Sequence, residues 1–183
     1  MGFLQVFKNI LGSNEKKEAI EDNSNKFDKE SLKSDIIYSP LSGRIKKIKE
    51  VNDPMFAGEL MGKSIAIEPS KGCVVSPVNG VIVSIFNTKH AIAIKSDNGA
   101  EILIHIGINT VNLEGKYFTI NIKSGDTVNV GDPLIEFNIE GIKQEGYDAV
   151  TMVIITNTDR YSDVKKTEEK EIKEKDYLLE VTL

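Results

Sequence analysis

Hydrophobic and polar positions alternate in short runs along most of this chain, and β-branched residues dominate the runs. The segments Gly43 to Ile48, Ser64 to Glu68, Gly80 to Phe86, Ala91 to Lys95, Glu101 to Ile106, Phe118 to Ile122, Pro133 to Asn138, Thr151 to Thr156 and Tyr177 to Thr182 are separated by turn signals. That rhythm predicts an all-β domain, either a sandwich or a partly closed barrel. Minor helical turns are expected at 56–61 and 139–145, and the charged run 163–176 reads as a solvated helix or loop. An internal echo links Ser39-Pro-Leu-Ser-Gly-Arg-Ile45 to Ser76-Pro-Val-Asn-Gly-Val-Ile82. In each copy a Pro and a Gly mark a tight turn feeding a strand.

The start of the chain has a different period. Phe3, Leu4, Phe7, Ile10 and Leu11 fall on one stripe of a short helix over residues 1–11. Such a stripe suits weak contact with a membrane surface, or a tail that orders only against a partner. Met-Gly opens the chain, but Val6 breaks the myristoylation pattern. Residues 12–35, rich in Glu, Lys, Asp, Asn and Ser, read as a flexible polar linker, so the folded domain is expected over 36–183.

Composition narrows the function classes. With 183 residues, 40% hydrophobic and 28% charged, the chain can bury one sizeable core. A net charge of −5, with no basic and aromatic stacking platform, argues against a nucleic-acid partner. Cys73 is the only cysteine; it is expected to be a small buried apolar residue, and it fits a reducing compartment. No apolar run approaches the roughly 20 residues of a membrane span, and no signal-peptide core precedes the domain. A cytoplasmic protein is expected.

The candidate chemistry lies in the two histidines, His90 and His105, at the two ends of an expected β-hairpin. If Asn98-Gly99 forms a two-residue type I′ turn, Asp97 faces Ala100, His105 opposes Ile92 and His90 opposes Gly107. Both imidazoles then emerge on one face as diagonal neighbours, with Gly107 leaving that side open; a three-residue loop would send them to opposite faces. Along the second strand Ile102, Ile104 and Ile106 face the core, while His105 projects beside Leu103, Ile92 and Ile94 on an outer surface apolar enough for a protein partner. Thr88 is placed to hydrogen-bond a phosphate oxygen or the His90 ring. Two imidazoles so arranged suit phosphoryl transfer through a phosphohistidine, and equally suit metal binding or a purely structural pair.

The residues carrying a family resemblance are Ser39-Pro-Leu-Ser-Gly43, Asp53 with Phe56-Ala57, Ser76-Pro-Val-Asn-Gly80, Ile85-Phe-Asn-Thr-Lys-His90, Ile102-Leu-Ile-His-Ile-Gly-Ile-Asn-Thr-Val111 and Val128-x-x-Gly-Asp132. Together they closely resemble the glucose-class enzyme IIA of the phosphoenolpyruvate-dependent sugar phosphotransferase system. The resemblance implies a compact β-sandwich with an internal duplication of the duplicated-hybrid-motif type. It implies that His105 receives a phosphoryl group from the phosphocarrier HPr and passes it to the IIB domain of a sugar permease. His90 matches the auxiliary active-site histidine, and Thr88 its hydrogen-bonding companion. Phe56, Phe86, Leu103 and Val111 match apolar partner-binding positions, and Asp53 an acidic position facing a partner arginine. Asn109 stands where the family usually has Asp, which removes one attraction for the carrier. Gly146 to Ile155 lacks the relatives' Thr-Pro, an expected change at an edge strand.

No cofactor is required on this reading, zinc shared by His90, His105 and a partner carboxylate is the alternative, and the protein is expected to act as a monomer. A zinc hydrolase needs more ligands and a spare catalytic histidine than two histidines supply. The Ser-Pro-x-x-Gly-x-Ile echo is also similar to biotinyl and lipoyl carrier domains, but Lys89 is not at a hairpin tip. A binding or regulatory module without phosphotransfer is the remaining alternative.

Overall fold

A computed structural model describes residues 34–183. The expected helix over 1–11 and most of the linker lie outside the described residues. Strand β1 (Ser34–Tyr38) begins ahead of the expected fold boundary because it pairs antiparallel with β14 (Tyr177–Thr182).

Between them run β2 (Gly43–Lys46), β3 (Lys63–Pro69), β4 (Cys73–Val75), β5 (Gly80–Ile85), β6 (Ala91–Ser96), β7 (Glu101–Ile106) and β8 (Phe118–Ile120). There follow β9 (Thr127–Val128), β10 (Pro133–Phe137), β11 (Thr151–Ile155), β12 (Asp163–Lys166) and β13 (Glu171–Ile172). Eight of these form one antiparallel sheet in the order β13-β2-β3-β11-β7-β6-β5-β9. Two three-stranded sheets, β1-β14-β12 and β4-β10-β8, complete the β architecture. The all-β expectation holds. The run 163–176, expected as helix or loop, instead supplies β12 and β13, whose charged residues alternate with Val164 and the buried Ile172. Tertiary pairing outweighs local composition there.

The large sheet buries both faces at its centre. Ile92, Ile94, Ile102, Ile104, Ile106, Val153 and Ile155 enter the main core with residues from the smaller sheets. Ala66, Ala91, Ala93, Leu103, Met152 and Ile154 form a second cluster on the other face, covered by Val51, Phe56 and Met61. All five residues of β11 are buried. This strand lies between β3 and β7, so the segment expected at an edge is central.

The covering segment carries the short helix α1 (Pro54–Ala57). It starts where Asp53 accepts a hydrogen bond from the Met55 amide at 2.8 Å, and Pro54 brings a preset φ to the first helical position. It spans less than the expected 56–61. A second helix, α2 (Ile139–Gln144), is capped by Asn138, whose side chain accepts from the Gly141 amide.

Candidate functional site

Strand β7 holds His105 between two partners: Ala91 on β6 and Met152 on β11. The hairpin turn between β6 and β7 differs from the two-residue expectation. Lys95 pairs with Glu101, and around a three-residue loop, Asp97 to Gly99, the Ser96 amide donates to the Ala100 carbonyl at 2.8 Å while the Ala100 amide donates to Ser96 Oγ at 2.9 Å. Gly99 supplies the positive φ of +101° that closes it. Ser96 and the buried Asp35 carboxylate hydrogen-bond beside this loop, which also ties it to β1.

The pairing is thus shifted by one residue, and Ile92 and Ile94 belong to the main core, not to the outer surface beside His105. His90 falls opposite Ile106, whose amide donates to its carbonyl at 2.8 Å, and regular pleating would send its side chain away from His105. His90, however, precedes the first residue of β6. The residue before it, Lys89, has a left-handed φ of +58° in a turn closed by Lys89 N–H to Phe86 C=O. Released from the pleat, the His90 ring meets His105 with centroids 4.8 Å apart and planes at 82°. The expected juxtaposition forms, through the turn instead of the register.

Thr88 is where the sequence suggested. Its Oγ1 shares a 2.7 Å hydrogen bond with His90 Nδ1. Phe56 packs on His105 with ring centroids 4.9 Å apart, and Phe86 meets His90 at 5.8 Å. The four rings form a tight apolar setting, and His90 and His105 are only 1% and 6% exposed. Burial pushes the His105 imidazole down to about 3, repulsion from His90 adds to the shift, and backbone hydrogen bonds at Gly107 and His105 oppose it. Burial also takes His90 down to about 4. Both rings are neutral at physiological pH, which leaves a nucleophilic lone pair on each. His90 Nε2 is buried without a hydrogen-bond partner, and His105 Nδ1 is buried as well.

The remaining expected residues divide. Val111 is 46% exposed and Asn109 is exposed, both in the loop after β7. Asn109 adopts a φ of +58°, a left-handed conformation that Asn and Asp tolerate better than most residues. Asp53 is half-buried and spends one carboxylate oxygen capping α1. Leu103 is completely buried beneath Val51, Phe56 and Met61, so it supports the site from below instead of touching a partner. Gly107 does not open space opposite His90. A Cβ there would overlap Thr110 Cγ2 and come 2.7 Å from the Asp148 carbonyl, so glycine serves a close crossing at φ +77°. Cys73 is half-buried, remote from the histidines in the β4 sheet, and burial raises its thiol pKa.

Sequence reasoning missed Met152, the partner of His105 on β11, and Met61 in the covering segment. The unbroken apolar run Met152 to Ile155 was the available signal for a strand buried on both faces. Among the described residues no group of three or more His, Cys, Asp or Glu side chains could hold a metal. His90 and His105 can offer two nitrogens, short of zinc's usual four donors, so further ligands have to come from a partner or water.

Comparison with known proteins matches this arrangement to a family of transport phosphotransfer proteins. The family described as phosphoenolpyruvate-dependent sugar phosphotransferase system, EIIA 1, matches residues 35–161. The PTS system beta-glucoside-specific EIIBCA component of Bacillus subtilis is 59% identical over 128 residues, covering 70% of this chain and 21% of that protein. The PTS system glucose-specific EIIA component of Bacillus cereus is 50% identical over 131 residues, 72% of this chain and 79% of the relative. The corresponding Staphylococcus aureus component is 44% identical over 156 residues, 85% of this chain and 94% of that one. Among solved structures, glucose permease IIA from Mycoplasma capricolum superposes with a TM-score of 0.73 at 31% identity, covering 81% of this chain and 96% of that one. The chain belongs to the EIIA type 1 family of the phosphoenolpyruvate-dependent sugar phosphotransferase system.

Proposed function

We propose that this phosphoryl carrier bears its phosphoryl group on Nε2 of His105, received from the phosphocarrier HPr and passed to a IIB domain of a glucose-class sugar permease. The observation that carries the reading is the buried, neutral pair of imidazoles 4.8 Å apart. His105 Nδ1 is buried, which leaves Nε2 as the nitrogen an incoming group can reach. Its lone pair forms the new N–P bond while the donor's N–P bond breaks, so the PO₃ unit moves without water and the acceptor's Nδ1 keeps its proton.

His90 is the auxiliary group. With the Thr88 hydroxyl donating to His90 Nδ1, the ring proton sits on Nε2, free to donate to a phosphoryl oxygen. A buried donor aimed where negative charge arrives stabilises it without reorganisation. Phe56 and Phe86 exclude water from the rings. Val111, Asn109 and the exposed Leu60 offer surface for partner docking. Onward transfer to a IIB cysteine breaks the His105 N–P bond as an S–P bond forms. The working compartment is the cytoplasm, with the protein acting as a monomer and residues 1–11 touching the membrane surface weakly.

The test is label transfer from phosphoenolpyruvate through enzyme I and HPr. Acid-labile, base-stable label on wild type and His90→Ala, but none on His105→Ala, is expected. Label retained by His105→Ala would move the acceptor elsewhere. No label on wild type beside phosphorylated HPr would favour a binding module.

A further inference from the structure

We propose that Glu59 and Lys166 are positioning residues that lock the segment bearing Phe56 onto His105 and so keep water from the phosphohistidine; the inference rests on the reading of His105 as acceptor.

The covering segment is anchored at its start by the Asp53 cap, but α1 has only four residues and cannot hold itself rigid. Its far end depends on Glu59. The Glu59 amide donates to the Phe56 carbonyl at 2.9 Å, so the two residues share one turn. Glu59 adopts a φ of +49°, a left-handed conformation that a non-glycine residue holds only when its surroundings impose it.

The imposing contacts are specific. One Glu59 carboxylate oxygen accepts from Lys166 Nζ at 2.7 Å and from the Ser64 amide at 2.9 Å. The other accepts from Lys63 Nζ at 3.1 Å. Lys166 Nζ also donates to the Ser64 carbonyl at 2.8 Å, so the lysine bridges the segment to β3. The Glu59 and Lys166 side chains are 20% and 31% exposed, well sheltered for an ion pair. Burial alone would raise the Glu59 carboxyl pKa; the hydrogen bonds from Lys166, Ser64 and Lys63 outweigh it and leave the pKa below its usual value.

Lys166 comes from β12, a strand of the β1-β14-β12 sheet. That sheet contributes none of the four rings at the site, yet it reaches the covering segment through the Lys166 side chain. Lys63 and Thr158 add a neighbouring staple, Thr158 Oγ1 accepting from the Lys63 amide at 2.9 Å. Between cap and clamp hangs the buried Phe56, with the exposed Leu60 just past the clamp. Loosening the clamp frees the ring covering His105, and water can then attack phosphorus as the N–P bond breaks.

The experiment uses full-length Lys166→Met, Glu59→Gln, Lys166→Arg and, as reference, Phe56→Ala. The first readout is the His105 ring-proton resonance in the unphosphorylated protein, which senses the Phe56 ring current. Lys166→Met and Glu59→Gln should move it partway to its Phe56→Ala position, with the rest of the spectrum folded, and Lys166→Arg should leave it at the wild-type value. The second is hydrolysis of the phosphorylated protein, expected to speed up by as much as about fivefold in the two clamp variants, the factor of a ~1 kcal/mol sheltered pair. An unmoved His105 resonance in folded Lys166→Met and Glu59→Gln overturns the inference whatever the hydrolysis rate. Absence of label on wild type would instead overturn the acceptor assignment, and the resonance would still judge the clamp.

Discussion

Acid should unfold this protein through its site. In the folded chain His90 and His105 accept protons only near about 4 and about 3. In the unfolded chain each takes a proton near about 6.5. Between those values the unfolded state binds more protons, so the stability that comes from keeping the rings neutral is complete above about pH 6.5 and is lost as pH falls. At pH 5, about 1.5 units under the unfolded value and above both folded values, each ring costs ~2 kcal/mol at 1.36 kcal/mol per unit. His105→Gln removes one such group while keeping a side chain of similar polarity and size. Urea unfolding at pH 7 and pH 5 measures the effect; far-ultraviolet circular dichroism is the suitable probe because the chain has no Trp. The loss of stability from pH 7 to pH 5 should shrink by ~2 kcal/mol in His105→Gln and by a similar amount in His90→Gln. Equal pH dependence in wild type and both variants would refute the reasoning and place the acid sensitivity in carboxylates elsewhere.

Thr88→Val removes the 2.7 Å bond to His90 Nδ1; the label should still reach His105, while rapid-quench transfer to IIB slows about tenfold, the factor for ~1.4 kcal/mol. Wild-type onward transfer in that variant would dismiss the hydrogen bond from the mechanism. Gly107→Ala forces a methyl against Thr110 and the Asp148 carbonyl at positive φ, and should destabilise the fold by at least ~1 kcal/mol in urea titration; an unchanged midpoint would contradict the crossing described. Asn109→Asp adds a charge at an exposed left-handed position that Asp tolerates, and should raise the association rate with HPr at low salt and lose that gain at high salt in stopped-flow measurements.

The strands around the site were legible because each carries its own pattern: Glu101 to Ile106 alternates cleanly, and Gly80 to Phe86 and Ala91 to Lys95 are β-branched between turns. The partnership of His90, His105 and Thr88 was legible too, but its geometric basis was not. Asn98-Gly99 favours a two-residue loop locally, whereas the three-residue loop is held by the Ser96 hydroxyl at its base and by Asp35 from outside the hairpin. Strands β12 and β13 were hidden because their own residues are mostly charged, and because β13 finds its partner, β2, far away in sequence. Leu103 looked like surface because alternation shows which face a residue takes, not what a remote segment lays over it. The expectation that His105 is the acceptor came from the resemblance; spacing alone left phosphoryl transfer, metal binding and a structural pair open.

His105 is threaded into the middle of the large sheet, with β6 and β11 hydrogen-bonded on either side of its strand. As the proposed acceptor, His105 has no travel of its own, unlike a group on a flexible arm. Donor and recipient must therefore come to the same spot by turns, each vacating it before the other can dock. Flux through the carrier is then a matter of queueing: an excess of either partner in its spent form occupies the berth and delays the other, and fast departure matters as much as tight docking.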